Sequence, residues 1–194
     1  MVIEFRIPEE DRRALLALAR ASIQDAILGD GSLRACEEAL VITPQMRTRA
    51  GLFVTLKIKG EEGAPPSGRL RGCIGLMSSE RPLHETVIDT APKAALGDPR
   101  FTPLGADELA AVTLSLSVLS PMTKLRTIDG LIIGRHGLQL SKDSHRSVFL
   151  PQVPVEQGWD ADRYLQQLAL KAGLPKDGWR GAELATFEAL SFSE

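Results

Sequence analysis

Cys73 lies between two glycines in the stretch "RLRGCIG", residues 69–75, and Arg71 precedes it by two positions. A thiol turns nucleophilic when nearby positive charge or a base favours the thiolate. On a strand, Arg71 shares a face with Cys73. The opposing possibility is a small buried hydrophobe, which is the usual state of a free cysteine. His84 falls in the first turn of a helix opened by Pro82, where the positive end of the helix keeps a neutral imidazole available as a base. His136 sits in "GRHG", a turn whose glycines permit positive φ. Cys73, His84 and His136 are therefore the candidate catalytic residues, expected to converge on one concave surface. The link "LMSSER" between the Cys73 strand and the His84 helix is short, and His136 arrives from a distant turn.

Arg71, Gly72, Gly75 and Arg100 are the candidate substrate-binding residues. The arginines offer forks to a small anionic ligand, and the glycines let it approach the backbone. Asp98 and Arg100 in "GDPRFTPL" stand at i, i+2, which reads equally as an ion-paired corner after a helix. The spacing of the cysteine and histidines demands no metal. There is no Walker loop and no G-x-G-x-x-G, so no cofactor is assigned. His145 reads as an exposed hairpin tip without a role.

The elements that must position these residues are legible in outline. Pro8 opens a helix with Glu9, Glu10 and Asp11 at its positive end. Leu15, Leu16, Ala19, Ile23, Ala26 and Ile27 recur at helical spacing, and Gly29 stops it. "GLFVTLKIKG" reads as a strand, with Arg69 to Leu76 its neighbour across the Pro- and Gly-rich stretch from Gly60 to Gly68. "PLHETVIDTAPKAALGD" reads as a helix that Pro92 should kink or split. In "VTLSLSVLS", Val112, Leu114, Leu116 and Val118 alternate with polar residues, which favours an antiparallel sheet with one buried face. "DGLIIGRHGLQLSK" predicts two short strands around a turn from Gly134 to Gly137, and "SVFLPQV" predicts another. A helix from about Asp162 places Tyr164, Leu165, Leu168 and Ala172 on one face, capped by Gly173. "LATFEALSF" predicts one closing strand. Helices and antiparallel strands mix without a βαβ rhythm, so the class is α+β.

Bulk properties narrow the function classes. The 194 residues are 43% hydrophobic and 25% charged, enough for a true core. A net charge of −2 and an aromatic content of 5% argue against a nucleic-acid binder. No apolar run approaches the roughly 20 residues that span a bilayer. "MVIEFRIPEEDRR" is acidic where a secretory leader would be basic and then apolar, and two cysteines make no disulfide framework. A cytoplasmic protein without membrane contact is the expectation.

The hexapeptide "LRGCIG" resembles the signature of the AMMECR domain family, whose microbial members are called AmmeMemoRadiSam system protein A. Ordered blocks carry the resemblance over most of the chain: "GLFVTLK", "PLHETV", "AALGDPRFTPL", "DELAAVTLSLSVLS", "IGRHGLQL", "FLPQVPVEQGWD" and "LALKAGL". Pro92 is the one oddity among them. The resemblance implies a single domain over 1–194, in which an antiparallel sheet is flanked by helices beside a smaller lobe, with a cleft between. Leu70 to Gly75, His84, Asp98, Arg100, Phe101, His136 and Gly137 fall in shared blocks. It also implies an accessory or partner role beside Memo-like and radical-SAM proteins in a small-molecule or modification pathway. The alternative is a cysteine-dependent enzyme that uses Cys73 and a histidine on a small anionic substrate. The chain lacks an iron–sulfur cysteine triplet, so it is not itself the radical-SAM component.

Overall fold

Acidic side chains in the first turn suit the positive end of α1 (Glu9–Leu28), and Gly29 ends it in the left-handed conformation. The computed structural model describes residues 6–58 and 68–194, so the expected loop at 60–67 lies outside them. After α1 come α2 (Ser32–Ala39), β1 (Gly51–Ile58), β2 (Arg69–Leu76), α3 (Leu83–Leu96) and β3 (Val112–Leu119). Then follow β4 (Thr123–Lys124), β5 (Gly137–Lys142), β6 (His145–Phe149), α4 (Gln152–Glu156), α5 (Ala161–Lys171), β7 (Glu183–Phe187) and β8 (Ala189–Ser193). The class is α+β, with two four-stranded sheets in the orders β2-β1-β3-β8 and β4-β7-β5-β6. The chain divides into two compact units, one running to Leu119 with 190–194 added, the other Ser120–Ala189.

In the first unit the alternation of β3 reads true. Val112, Leu114, Leu116 and Val118 are buried and stand opposite Ile58, Leu56, Val54 and Leu52 of β1. Leu15, Leu18 and Ile23 of α1 and Leu83, Val87 and Ala91 of α3 complete that aliphatic core. The second unit packs α5 on its sheet through Tyr164, Leu165 and Leu168, with Phe149 and Trp159 against them. Burial raises the Tyr164 phenol far above its ordinary range.

Pro92 neither splits α3 nor leaves a polar group stranded. A proline at 92 has no N–H for the carbonyl four residues earlier, that of Ile88. Ser22 of α1, itself buried, donates its hydroxyl to the Ile88 oxygen at 3.0 Å. A side chain from the neighbouring helix replaces the missing helical bond, and α3 runs through.

Three local expectations need correction. Residues 131–133, just before Gly134, form no strand; Ile132 O accepts from both Arg135 N and His136 N, so those residues close a turn. Strand β6 ends at Phe149, and "PQV" enters α4 instead. The closing "LATFEALSF" is two strands, because β7 belongs to the second sheet and β8 to the first. His145 is also no bare tip, since its Nδ1–H donates to Ala172 O at 2.8 Å.

Candidate functional site

Among the described residues, strand β2 ends its sheet and pairs only with β1, placing Cys73 opposite Thr55 and Gly75 opposite Phe53. Two glycines permit this crossing. A Cβ on Gly72 would meet Ala94 O of α3 at 2.1 Å, and one on Gly75 would meet the Phe53 ring at 2.3 Å. The helix backbone therefore sits directly on one side of the strand and an aromatic ring on the other. Both glycines in "RLRGCIG" answer to close approach within the fold.

The free edge of β2 is closed at Cys73 by the corner that follows α3. Cys73 N–H donates to Asp98 Oδ2 at 2.8 Å, and Cys73 O accepts from the Arg100 guanidinium at 3.1 Å. Asp98 and Arg100 join each other through three further bonds: the Arg100 guanidinium donates at 2.9 and 2.7 Å and its backbone N–H at 3.1 Å. An i, i+2 ion pair thus occupies the groups a neighbouring strand would use, and so blunts the edge. The Asp98 carboxyl, 2% exposed, is held well below the usual carboxylate range, mainly by Arg100 and against its own burial. Arg100 is raised in turn, first by Asp98 and further by the Cys73 side chain. Its guanidinium remains 54% exposed and lies 5.5 Å from the Phe101 ring centroid.

Arg71 is turned into the fold. Its fork grips Glu108 at 2.7 and 2.8 Å, and it donates also to Thr102 O and Pro103 O. Only 7% exposed, it holds Glu108 down to about 2, helped by the Gly105 N–H. An anionic ligand would have to displace that carboxylate. Glu108 escaped the sequence reading because 37 residues separate the pair.

The candidate catalytic residues have different surroundings. Cys73 Sγ is half-buried, 3.3 Å from Thr55 Oγ1. His84 Nδ1 lies 2.9 Å from Met46 O, so it carries the proton and donates. His84 also lines a separate hollow of about 160 Å³ with Leu18, Ile42 and Ile88. His136 belongs to the second unit, where its Nδ1 accepts from Ile132 N at 3.1 Å and its carbonyl accepts from the Tyr164 hydroxyl. Among the described residues, no cluster of His, Cys, Asp and Glu could hold a metal ion. No helix among them is long and apolar enough to cross a membrane.

On the sheet face that carries Cys73, register sets Thr55 beside it and Ser115 beside Thr55, while Ser117 and Ser191 touch through their hydroxyls at 2.8 Å. Hydroxyls, one thiol and the exposed part of Arg100 suit hydrogen bonding to a polar or anionic surface.

An antiparallel α+β chain whose glycine-flanked cysteine is clamped at a sheet edge defines a recognisable class. The AMMECR1 family profile matches residues 16–192, and the chain belongs to the AMMECR1 family. Protein MK0488 of Methanopyrus kandleri is 39% identical over 161 residues, which cover 78% of this chain and 75% of that one. A protein of Thermococcus onnurineus is 37% identical over 183 residues, covering 90% and 85%. The crystal structure of the uncharacterized protein PH0010 from Pyrococcus horikoshii superposes with a TM-score of 0.78 at 32% identity, over 98% of this chain and 94% of that one.

Proposed function

We propose that this AMMECR1-family chain is an accessory binding component that works beside Memo-like and radical-SAM proteins, and not the catalyst of the set. One observation carries the reading: the signature residues engage one another and the fold. Arg71 holds Glu108, Gly72 admits α3, Gly75 admits Phe53, and Asp98 with Arg100 closes the backbone of Cys73. The reading makes "RLRGCIG" a crossing that braces the sheet face beside it, and that polar face is what a partner would meet. The experiment is size-exclusion chromatography of the purified chain mixed with a Memo-like and a radical-SAM protein from the same source. Co-elution with at least one is expected, and is expected to survive Cys73→Ala. Migration of all three separately at micromolar concentrations would overturn it.

The second reading, a cysteine-dependent enzyme acting on a small anionic substrate, is favoured by the Arg100 guanidinium beside the Cys73 side chain. It predicts a covalent adduct on Cys73, visible as a mass shift of the intact protein with candidate substrates and absent in Cys73→Ala.

A further inference from the structure

We propose that a groove in the second unit binds a small planar anion, an aromatic or heteroaromatic ring bearing a carboxylate or a phosphate. The groove, about 310 Å³, runs between residues 125–128 and 179–184, a size suited to a small molecule. Its walls are Leu125, Ile128 and Leu184 on the apolar side, with Trp179 as the one aromatic surface. Arg126 and Thr127 supply its polar side chains, and no carboxylate lines it among the described residues.

The charge arrangement selects an anion. Arg126 is exposed and carries no ion pair or hydrogen bond among the described residues. Glu183, next to Leu184, is 3.8 Å from Lys124 and lines a different hollow with it, and Asp129, next to Ile128, is not among the lining residues. A guanidinium fork without a carboxylate partner, beside an apolar wall, matches a bidentate oxyanion on an apolar body. The indole adds a flat surface for a ring.

The wall is also held ready. Lys142 Nζ donates to Gly178 O at 3.1 Å and to Arg180 O at 3.0 Å, gripping the backbone on both sides of Trp179. Trp179 O accepts from Ala182 N at 3.1 Å within one wall, and Leu125 N donates to Leu184 O at 2.8 Å, which ties the two walls together. Arg180 does not line the groove. It stacks 4.6 Å from the Trp179 ring centroid and borders a neighbouring hollow that the indole also lines. The ring is thus braced from elsewhere, which lowers the ordering cost of binding.

Isothermal titration of the full chain with adenosine monophosphate, 1-naphthoate and inorganic phosphate tests the assignment. Saturable binding of at least one ring-bearing anion is expected, with inorganic phosphate about tenfold weaker or worse. Preference for the nucleotide would assign the anion as a phosphate ester, and preference for naphthoate as a carboxylate. Arg126→Ala should weaken binding about tenfold, with Arg126→Lys in between. Arg126 is exposed, so a thermal melt should match the parent protein. Trp179→Leu should weaken the ring-bearing ligands about tenfold. Since Trp179 is half-buried, Trp179→Phe is the companion variant that keeps an aromatic wall and part of the affinity. Absence of binding by both ring-bearing anions, equal affinity for free phosphate, or unchanged affinity in Arg126→Ala would each overturn the proposal.

Discussion

At the β2 edge of the first sheet, a loop carboxylate and guanidinium cover the backbone of Cys73. At the β6 edge of the second, a helix does the same work: Lys171 of α5 donates to Val148 O at 2.9 Å with its ammonium 4.3 Å from the Phe149 ring centroid. His145, at the start of β6, is tied to Ala172 O just beyond α5. Both devices occupy backbone groups that would otherwise be open to pairing with another chain. They differ in what they depend on. The first rests on a charge pair set by one corner, and the second on a packed helix and an aromatic core. The stretch "RLRGCIG" lies at the charged edge, so its residues answer first to how that edge is closed.

The comparison can be broken most forcefully in the aliphatic core that supports the charged edge. Leu116 is fully buried in β3, opposite Val54. Leu116→Ala should cost about 2–5 kcal/mol, read as a lower denaturant midpoint. A midpoint within error of the parent would mean that the wrong face of β3 has been placed inward. Ser22→Ala probes one polar contact in the same unit and should cost about 1–3 kcal/mol, because it strands the Ile88 carbonyl that Pro92 cannot satisfy. If Ser22→Ala is damaging in the native chain but nearly neutral in a Pro92→Ala background, the replacement bond is established; equal losses in both would refute it.

Acid sharpens the contrast without a large mutation. Glu108 and Asp98 both have folded-state values below their ordinary 4.5 and 3.8. Their contribution is complete above those ordinary values and is lost as pH falls below them, towards about 2 for Glu108. The denaturant midpoint should therefore drop between about pH 5 and 2, and by less in Asp98→Asn. A profile unaffected by Asp98→Asn would remove Asp98 from the account. The smallest effect belongs to the helix-covered edge: Lys171 is exposed, and Lys171→Met should cost no more than about 1 kcal/mol. A loss much larger than that would show both edges to depend equally on charge.

Much of the fold was legible where its signals are local. The alternation of β3, the helical spacing of α1 and α5, and the acidic start of α1 depend on residues a few positions apart. The corner "GDPRF" was legible for the same reason, since Asp98 and Arg100 pair at i, i+2. The histidines were less so. Helix position marked His84 as a neutral base but did not show the carbonyl, 38 residues away in sequence, that takes its Nδ1–H and leaves the lone pair on Nε2.

What the amino-acid sequence determined by itself is the α+β class, the buried face of β3 and the family, all of which live in short-range periodicity and ordered blocks of residue type. Only the tertiary structure decided that "LATFEALSF" parts at Glu188 to serve two sheets, that Arg71 faces Glu108, and that Ser22 makes Pro92 tolerable. The physical reason is the same in each case. A strand's pattern fixes which face is apolar but not which sheet receives it. A buried donor or acceptor is likewise satisfied by whichever group the fold brings within about 3 Å, however distant in the chain.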